Sequence, residues 1–462
     1  MKRVIPVLSL GALLLAALPA HATDTGLTHR DSYGTKAVYS PTLEYARAGG
    51  PPSGQNPRTY QQPPAGYTAV FTENVSRHGS RAATDGEDGD ILLTLWKQAQ
   101  ADGRLTARGR RLGPDVQALE AAMSAIGYGN LSGRGKDELR ATAVRLEERL
   151  PSLFSSVAAN GEKIDVVSSG QGRAVDSGTV FSTALTDADP ALKSSFGAAR
   201  VDKNLLYFHK SAGGVDYQKW LASDRRLAST LKSVTDQPAS HRAAARVLGR
   251  IFKPAFVQRI VDGDFSSTAD DLTAATAVYN LYAIAAAMSE ESPDGKGWRF
   301  DRYIAPRDAA WFGYLSDAED FYEKGPSFSD SDITYRMAQP LLDDLFKQVE
   351  AKRDGTSNLG AELRFTHAEE IIPLAALMRL PGSEKAATPG VDYTYADNPW
   401  RGAETASLAA NIQWDVFEKG DDYLVRMLYN EKEIPFKAGC EPIKKGSTFY
   451  DLNELEHCFG RS

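Results

Sequence analysis

Arg77-His78-Gly79-Ser80-Arg81 sets a histidine between two arginines with a glycine at its side. Each residue type meets a demand of phosphoryl transfer. A neutral imidazole attacks through one ring nitrogen while the other donates to a carbonyl and fixes the tautomer. Arginines offer planar forks that match phosphate oxygens bidentately and keep their charge. Glycine removes a side chain beside the nucleophile and lets backbone N–H groups face an anion. The competing interpretation is a surface-loop histidine among chance arginines. Histidine is rare in this chain, and a strand pattern runs directly into the motif, which favours chemistry.

A second candidate is Thr366-His367-Ala368-Glu369-Glu370. His367 can bind a phosphate oxygen, and Glu369 can protonate a leaving alcohol and later activate water. An ordinary glutamate pKa gives such an acid an acidic optimum unless burial raises it. Taken alone, the segment reads equally as a helix N-terminus with acidic residues favoured by the macrodipole. A metal site is weaker, because no second histidine lies at helical spacing. The third candidate is Arg173, within Ser168-Ser169-Gly170-Gln171-Gly172-Arg173. A lone arginine after a turn is usually solvated; its interest comes from following a core strand.

These residues need strands to position them. Tyr67 to Val75 reads as a strand ending at the histidine motif, Ile164 to Val167 as a second, and Glu362 to Thr366 as a third. Helical patterns cover Ile91–Ala99, Pro114–Ile126 and Lys136–Leu150, the last stopped by Pro151, and Ile371–Met378 continues from the third strand. Strands alternating with helices at this spacing predict an α/β fold: a doubly wound, mostly parallel sheet flanked by helices. Open sheets of this kind bind ligands at the carboxyl ends of their strands, where all three candidates fall. Ile412–Phe417 and Tyr423–Tyr429 read as a hairpin through Lys419-Gly420-Asp421.

From about Asp187 to Phe346 the texture turns helical. Ser240–Val261 and Thr268–Ser289 carry helical periodicity, and Ser267-x-x-Asp270 looks like a capping box. Leu272–Met288 is apolar enough to raise a membrane question, yet Asn280 and its many alanines favour a buried helix in a bundle. The expected division is a leader over 1–22, an α/β core over 23–186, a helical cap insert over 187–346 and the rest of the core over 347–462. Residues 23–66, with Gly49-Gly50-Pro51-Pro52 and Pro63-Pro64, read as an irregular segment wrapping that core.

The N-terminus has the pattern of a cleavable signal peptide: Lys2 and Arg3, an apolar run from Val4 to Pro19, then Ala20-His21-Ala22. A retained anchor is the lesser alternative, since the run is short and weakly flanked. A periplasmic or secreted protein is expected, beginning near Thr23 and free of the membrane. In that setting Cys440 and Cys458, the only cysteines, read as a disulfide stapling the tail. The formal charge of −7 argues against a nucleic-acid surface, so positive charge for an anionic substrate must be concentrated in one pocket. His21, His29, His209, His241 and His457 have no partner in sequence and are left with structural or surface roles.

Together the motifs resemble the histidine phosphatase superfamily, its acid phosphatase and phytase branch, over most of the mature chain. That branch's R-H-G-x-R stands here as Arg77 to Arg81. Leu105-Thr106-Ala107-Arg108-Gly109 and Asn130-Leu131-Ser132-Gly133-Arg134-Gly135 look like its paired L-T-x-x-G segments. Arg173 falls where the family carries its third phosphate-binding arginine, with Ser177 four residues on. Where the branch usually has His-Asp, this chain has His367-Ala368-Glu369, similar to the multiple inositol polyphosphate phosphatases, in which the glutamate is taken as proton donor. The tail, Leu428-Tyr429-Asn430-Glu431 followed by the cysteine pair, also looks like that group. Two features depart from the pattern: Ala82-Ala83 replaces a common proline, and Asp85-Gly86-Glu87-Asp88-Gly89-Asp90 is unusually acidic beside a polyanion site.

The resemblance implies a phosphomonoesterase acting on inositol hexakisphosphate and lower inositol phosphates. His78 is then the nucleophile and Glu369 the proton donor and base, with Arg77, Arg81, Arg173 and His367 binding phosphate. No cofactor or metal is expected, since arginines take the metal's electrostatic role, and the protein is expected to be a monomer with a small-molecule partner. Lys203, Lys210, Arg302 and Arg307 in the insert could hold further phosphates or be solvated. The rivals are a broad acid phosphatase on sugar or nucleotide phosphates, a phosphomutase, and a non-catalytic phosphate-binding protein. Export disfavours the mutase, and pure binding needs neither nucleophile nor acid.

Overall fold

The computed structural model describes residues 29–40 and 60–461; the expected leader and the Gly49-Gly50-Pro51-Pro52 breaker lie outside them. Eight strands form one sheet: β1 (Thr68–Arg77), β2 (Lys163–Ser168), β3 (Arg200–Val201), β4 (Leu359–Thr366), β5 (Asn411–Lys419), β6 (Asp422–Tyr429), β7 (Lys432–Ile434) and β8 (Phe449–Asp451). Their order is β3-β2-β4-β1-β5-β6-β7, with β8 beside β6. β3, β2, β4 and β1 run parallel. From β5 onward the pairing is antiparallel, so the sheet is mixed and its parallel half carries the candidate residues. β5 and β6 are joined by the short turn at Gly420 (φ +61°), which parallel neighbours cannot use.

Strand β1 shows why the sheet holds. Val70, Thr72 and Val75 favour the pleat, and from Phe71 onward every residue is buried, because helices cover both faces. The alternation sorts side chains into two cores: Val167 joins the larger one and Ile164 and Val166 the smaller. Polar residues inside the sheet are paired: Arg364 of β4 donates to Glu73 at 2.8 Å and to Asp344 at 2.7 Å.

Five helices follow β1 and β2: α1 (Glu87–Ala101), α2 (Gly109–Ile126), α3 (Gly133–Arg149), α4 (Pro151–Asn160) and α5 (Gly172–Ala188). Pro151 ends α3 as expected, then serves at the start of α4, where its missing N–H costs nothing. Between residues 187 and 346 the main helices include α6 (Pro238–Ile251), α7 (Pro254–Val261), α8 (Asp271–Ala287) and α9 (Pro306–Glu323). Three details depart from the sequence reading. Ser240–Val261 is two helices, because Pro254 lacks an N–H and pushes Lys253 into extended backbone. Asp270, not Ser267, caps α8, accepting the Thr273 N–H at 2.7 Å. Strand β3 lies within the mainly helical stretch; two residues are too short to leave a pattern. α8 is buried on nearly all sides, as a helix apolar all round must be. Among the described residues no helix is long and apolar enough to cross a membrane.

The chain returns through α10 (Gln339–Arg353) to β4, and α11 (Ala368–Leu377) follows. A disulfide joins Cys440 and Cys458, their Cα atoms 5.3 Å apart.

Candidate active site

Strand register brings the candidates together. Arg77 pairs with Thr366 and Ser168 with Phe365, so β1, β2 and β4 end at one edge. The next residues, His78, Ser169 and His367, are therefore neighbours. The His78 N–H donates to the Thr366 carbonyl at 2.9 Å, and the His78 carbonyl accepts the Ala409 N–H at 2.9 Å. The backbone of the nucleophile candidate is thus fixed on both sides.

His78 Nδ1 lies 2.9 Å from the Gly79 carbonyl oxygen. A carbonyl can only accept, so Nδ1 carries the hydrogen and Nε2 holds the free lone pair. Close packing behind the loop depends on two glycines. A Cβ on Gly79 would stand 2.5 Å from the Gly135 carbonyl oxygen, and one on Gly135 would stand 2.0 Å from that of Ser80. Backbone therefore meets backbone where the loop crosses the start of α3. Ser132 caps that helix, accepting the Gly135 N–H, and Glu138 one turn on accepts both Ser80 N–H and Ser80 Oγ–H at 2.8 Å.

Around His78 the arginines are held by one part of the fork while another part stays free. Arg77 Nη1 donates to the Thr35 and Ala406 carbonyls, and Arg81 Nη1 to the Ala82 carbonyl at 2.7 Å. Arg173 stands in the first turn of α5. The Nε atoms of Arg77, Arg81 and Arg173 are buried without a hydrogen-bond partner in the protein, and so is Nδ1 of His367. On the other side of that ring, Nε2 lies 2.8 Å from Ser169 Oγ, which accepts the Gln171 N–H at 3.3 Å. The serine hydrogen goes to Nε2, and Nδ1–H is left as a donor. Unsatisfied buried donors are rare and costly, and these four, drawn from three chain segments whose charged groups bear on His78, could receive the oxygens of an anion.

Burial and the surrounding positive charge set the protonation states. Desolvation, then Arg77 and Arg81, hold His78 well below its usual value, which keeps the imidazole neutral. His367 is lowered to about 3 by burial and Arg173. Arg77 and Arg81 are lowered to about 10, chiefly by burial. Glu369, at the start of α11, goes the other way. Burial pushes it up, but Lys324, His209 and His367 pull it well below the carboxylate range.

A model of the histidine phosphatase superfamily (branch 2) matches residues 71–430. The chain belongs to that superfamily. Multiple inositol polyphosphate phosphatase 1 of Homo sapiens is 24% identical over 488 residues, spanning 97% of this chain and 91% of the relative. The multiple inositol polyphosphate phosphatase of Bifidobacterium longum, solved in complex with inositol hexasulfate, is 31% identical; the match covers 93% of this chain and 97% of that one, with a TM-score of 0.85. The phytase from D. castellii shares the fold, with a TM-score of 0.61 at 14% identity over 98% of this chain and 89% of that one.

In this histidine phosphatase the four insert cations part company. Arg302 lies 3.4 Å from Asp115 and Arg307 3.6 Å from Asp308, each facing a carboxylate. Lys203 lies against Gly170, beside Ser169. Lys210 stands 6.0 Å above the Tyr207 ring, which in turn is 5.3 Å from His367. Sequence reasoning missed others. His209, left with a default role, is buried, with Nδ1 2.6 Å from Glu370 Oε1. Lys36 donates to Asn280 at 3.1 Å and its charge bears on Arg81. Lys324 pairs with Asp320 and its charge falls on Glu369. A buried lysine far from any motif carries no local signal.

Proposed function

We propose that this histidine phosphatase hydrolyses phosphate monoesters of inositol, inositol hexakisphosphate foremost, through a phosphohistidine on His78. The observation that carries this reading is the neutral His78 ring beside four partnerless N–H donors. The substrate phosphate lies among Arg77, Arg81, Arg173 and His367, whose donors take its oxygens and whose charge offsets that of the transition state. His78 Nε2 attacks phosphorus in line, the P–O ester bond breaks, and the leaving oxygen takes a proton from Glu369. Water then attacks the phosphohistidine, Glu369 accepts its proton, and the N–P bond breaks to release phosphate.

Glu369 must hold a proton for the first step. A phosphate dianion in the cradle cancels the positive field that ionises this carboxyl in the free protein, so substrate binding itself favours the acid form. The substrate class is supported by likeness to the human and Bifidobacterium longum enzymes, the latter bound to inositol hexasulfate. The helical stretch 187–346 serves as the cap over the cradle, supplying Tyr207, His209 and Lys324. The N-terminal pattern and the Cys440–Cys458 disulfide support export to the periplasm or beyond.

Phosphate release from inositol hexakisphosphate by the purified protein, compared with His78→Ala, tests this reading. Wild-type turnover with at least about 10³-fold loss in the variant is expected. Equal turnover by both would overturn it. Faster release from glucose 1-phosphate than from inositol hexakisphosphate would leave the chemistry standing and replace the substrate.

A further inference from the structure

We infer that Glu370 is a positioning residue that works as a neutral acid: its carboxyl, holding one proton, ties His209 of the cap to the end of β4 and fixes the turn that carries His367 and Glu369. The inference rests on the proposed roles of those two residues.

Glu370 stands in the first turn of α11, one residue beyond Glu369, and is fully buried together with Thr366. Its Oε1 lies 2.6 Å from His209 Nδ1, and its Oε2 lies 2.9 Å from the Thr366 hydroxyl oxygen. That same hydroxyl lies 2.7 Å from the Leu206 carbonyl oxygen. Four residues of the cap therefore span three contacts with this segment. The Leu206 carbonyl meets Thr366, the Tyr207 ring lies 5.3 Å from the His367 ring, and His209 meets Glu370. The cap turn is braced in its own right. Gln218 donates to the His209 carbonyl at 2.7 Å, and the close approach of Gly214 leaves no room for a Cβ against the Phe208 carbonyl.

Counting hydrogens decides the charge. The Thr366 hydroxyl has one hydrogen and faces two oxygens. The Leu206 carbonyl can only accept. Were Glu370 a carboxylate, its Oε2 could only accept as well, and one of the two oxygen–oxygen contacts would hold no hydrogen. Sharing a single hydrogen would give two weak bonds, yet 2.7 and 2.9 Å are the lengths of full ones. A proton on Glu370 Oε2 completes the chain: His209 Nδ1–H donates to Oε1, Oε2–H to Thr366 Oγ, and Thr366 Oγ–H to Leu206. The surroundings agree. Burial pushes the Glu370 carboxyl up, His209 from the cap pulls it down, and Glu369 on its own helix pushes it up again.

A carboxyl locked in this way gives no proton to the reaction. Its work is geometric. Thr366 directly precedes His367 and Glu370 directly follows Glu369, so the anchors stand on both sides of the two residues that meet substrate. Adjacent glutamates thus divide the labour: Glu369 exchanges its proton, and Glu370 keeps one.

Two measurements on the full-length protein test this. The infrared difference spectrum of wild type minus Glu370→Gln is taken at about pH 6, where an ordinary glutamic acid is ionised. The C=O stretch of a protonated carboxyl is expected, and a carboxylate band in its place overturns the inference. The second measurement is turnover of inositol hexakisphosphate. The Glu370→Gln amide can accept from His209 and donate to Thr366, so kcat is expected within about threefold of wild type. Glu370→Met fills the space and makes neither bond; kcat is expected to fall about 10- to 100-fold, as a misplacement of about 1 Å costs. The inhibition constant of inorganic phosphate is expected to change less than kcat, because the three arginines stand on other elements. Equal losses in the two variants, wild-type kcat in Glu370→Met, or an equal fall in kcat and phosphate affinity overturns the inference. If Glu370→Met does not fold, His209→Phe, which keeps a ring and loses the donor, is held to the same expectation. The infrared band does not depend on turnover, so an inactive wild type, or normal turnover by His78→Ala, strikes at the proposed function instead.

Discussion

The His78 and His367 rings lie 5.4 Å apart, centroid to centroid, because the residues before them, Arg77 and Thr366, are register partners on adjacent parallel strands. A slip of one residue between β1 and β4 would send one ring to the opposite face of the sheet. The site's geometry is therefore a property of strand pairing more than of either loop.

Arg173 brings one of the partnerless donors and comes from a different chain segment than Arg77 and Arg81. Its truncation to alanine is expected to weaken competitive inhibition by inorganic phosphate about 30- to 100-fold, the worth of a charge-assisted hydrogen bond in a buried site. Inhibition constants at fixed ionic strength measure this. An unchanged constant would remove Arg173 from the cradle.

Glu369→Gln keeps shape and hydrogen bonding but cannot give up a proton. On inositol hexakisphosphate kcat is expected to fall about 10²- to 10⁴-fold. An aryl phosphate, whose leaving group departs without protonation, is expected to lose far less in the phosphorylation step. Equal losses on both substrates in single-turnover quench experiments count against the acid role.

Burial and the flanking arginines hold His78 well below the ordinary histidine value, so its lone pair stays available as the pH falls through 6.5. The rate of phosphohistidine formation is then expected to show no inflection near pH 6.5, where an unperturbed histidine would take up a proton. Rapid-quench measurements between pH 5 and 7 check the sign. A fall centred near 6.5 contradicts it.

Gly79→Ala places a methyl 2.5 Å from the Gly135 carbonyl carried by α3. The loop and the helix start must separate, which moves Arg81 and the His78 carbonyl clamp. Expected are a stability loss of about 1–3 kcal/mol and a fall in kcat beyond what that loss explains. Chemical denaturation and kinetics on the same preparation separate the two effects.

The tail staple closes a loop with a sequence separation of 18 residues. Replacing both Cys440 and Cys458 by serine is expected to lower stability by roughly 3 kcal/mol in the chain-entropy model, with kcat at 25 °C retained. Thermal unfolding with and without reductant measures it, reductant being expected to bring the wild type down to the variant.

Much of the architecture was legible in the sequence, because local chemistry writes it there. The strands that lead into His78, Ser169 and His367 announce themselves by apolar, β-branched runs, and each meets a turn or helix signal at once. The hairpin at Gly420 and the cysteine pair are equally local. Pro254 divided a helix that periodicity had joined, since periodicity registers side chains and not a missing N–H.

What sequence alone determined was the inventory: a histidine with flanking arginines, a second histidine with a glutamate two residues on, and strands to carry them to one edge. Tertiary structure decided which other groups stand beside them. Asp320, Lys324 and His209 sit far from the motifs along the chain, and nothing in their neighbourhoods marks them among many similar surface residues. Their effect is Coulombic and acts through space within a buried region, so it depends on how α9 and the cap pack against the sheet, which no short stretch of sequence encodes.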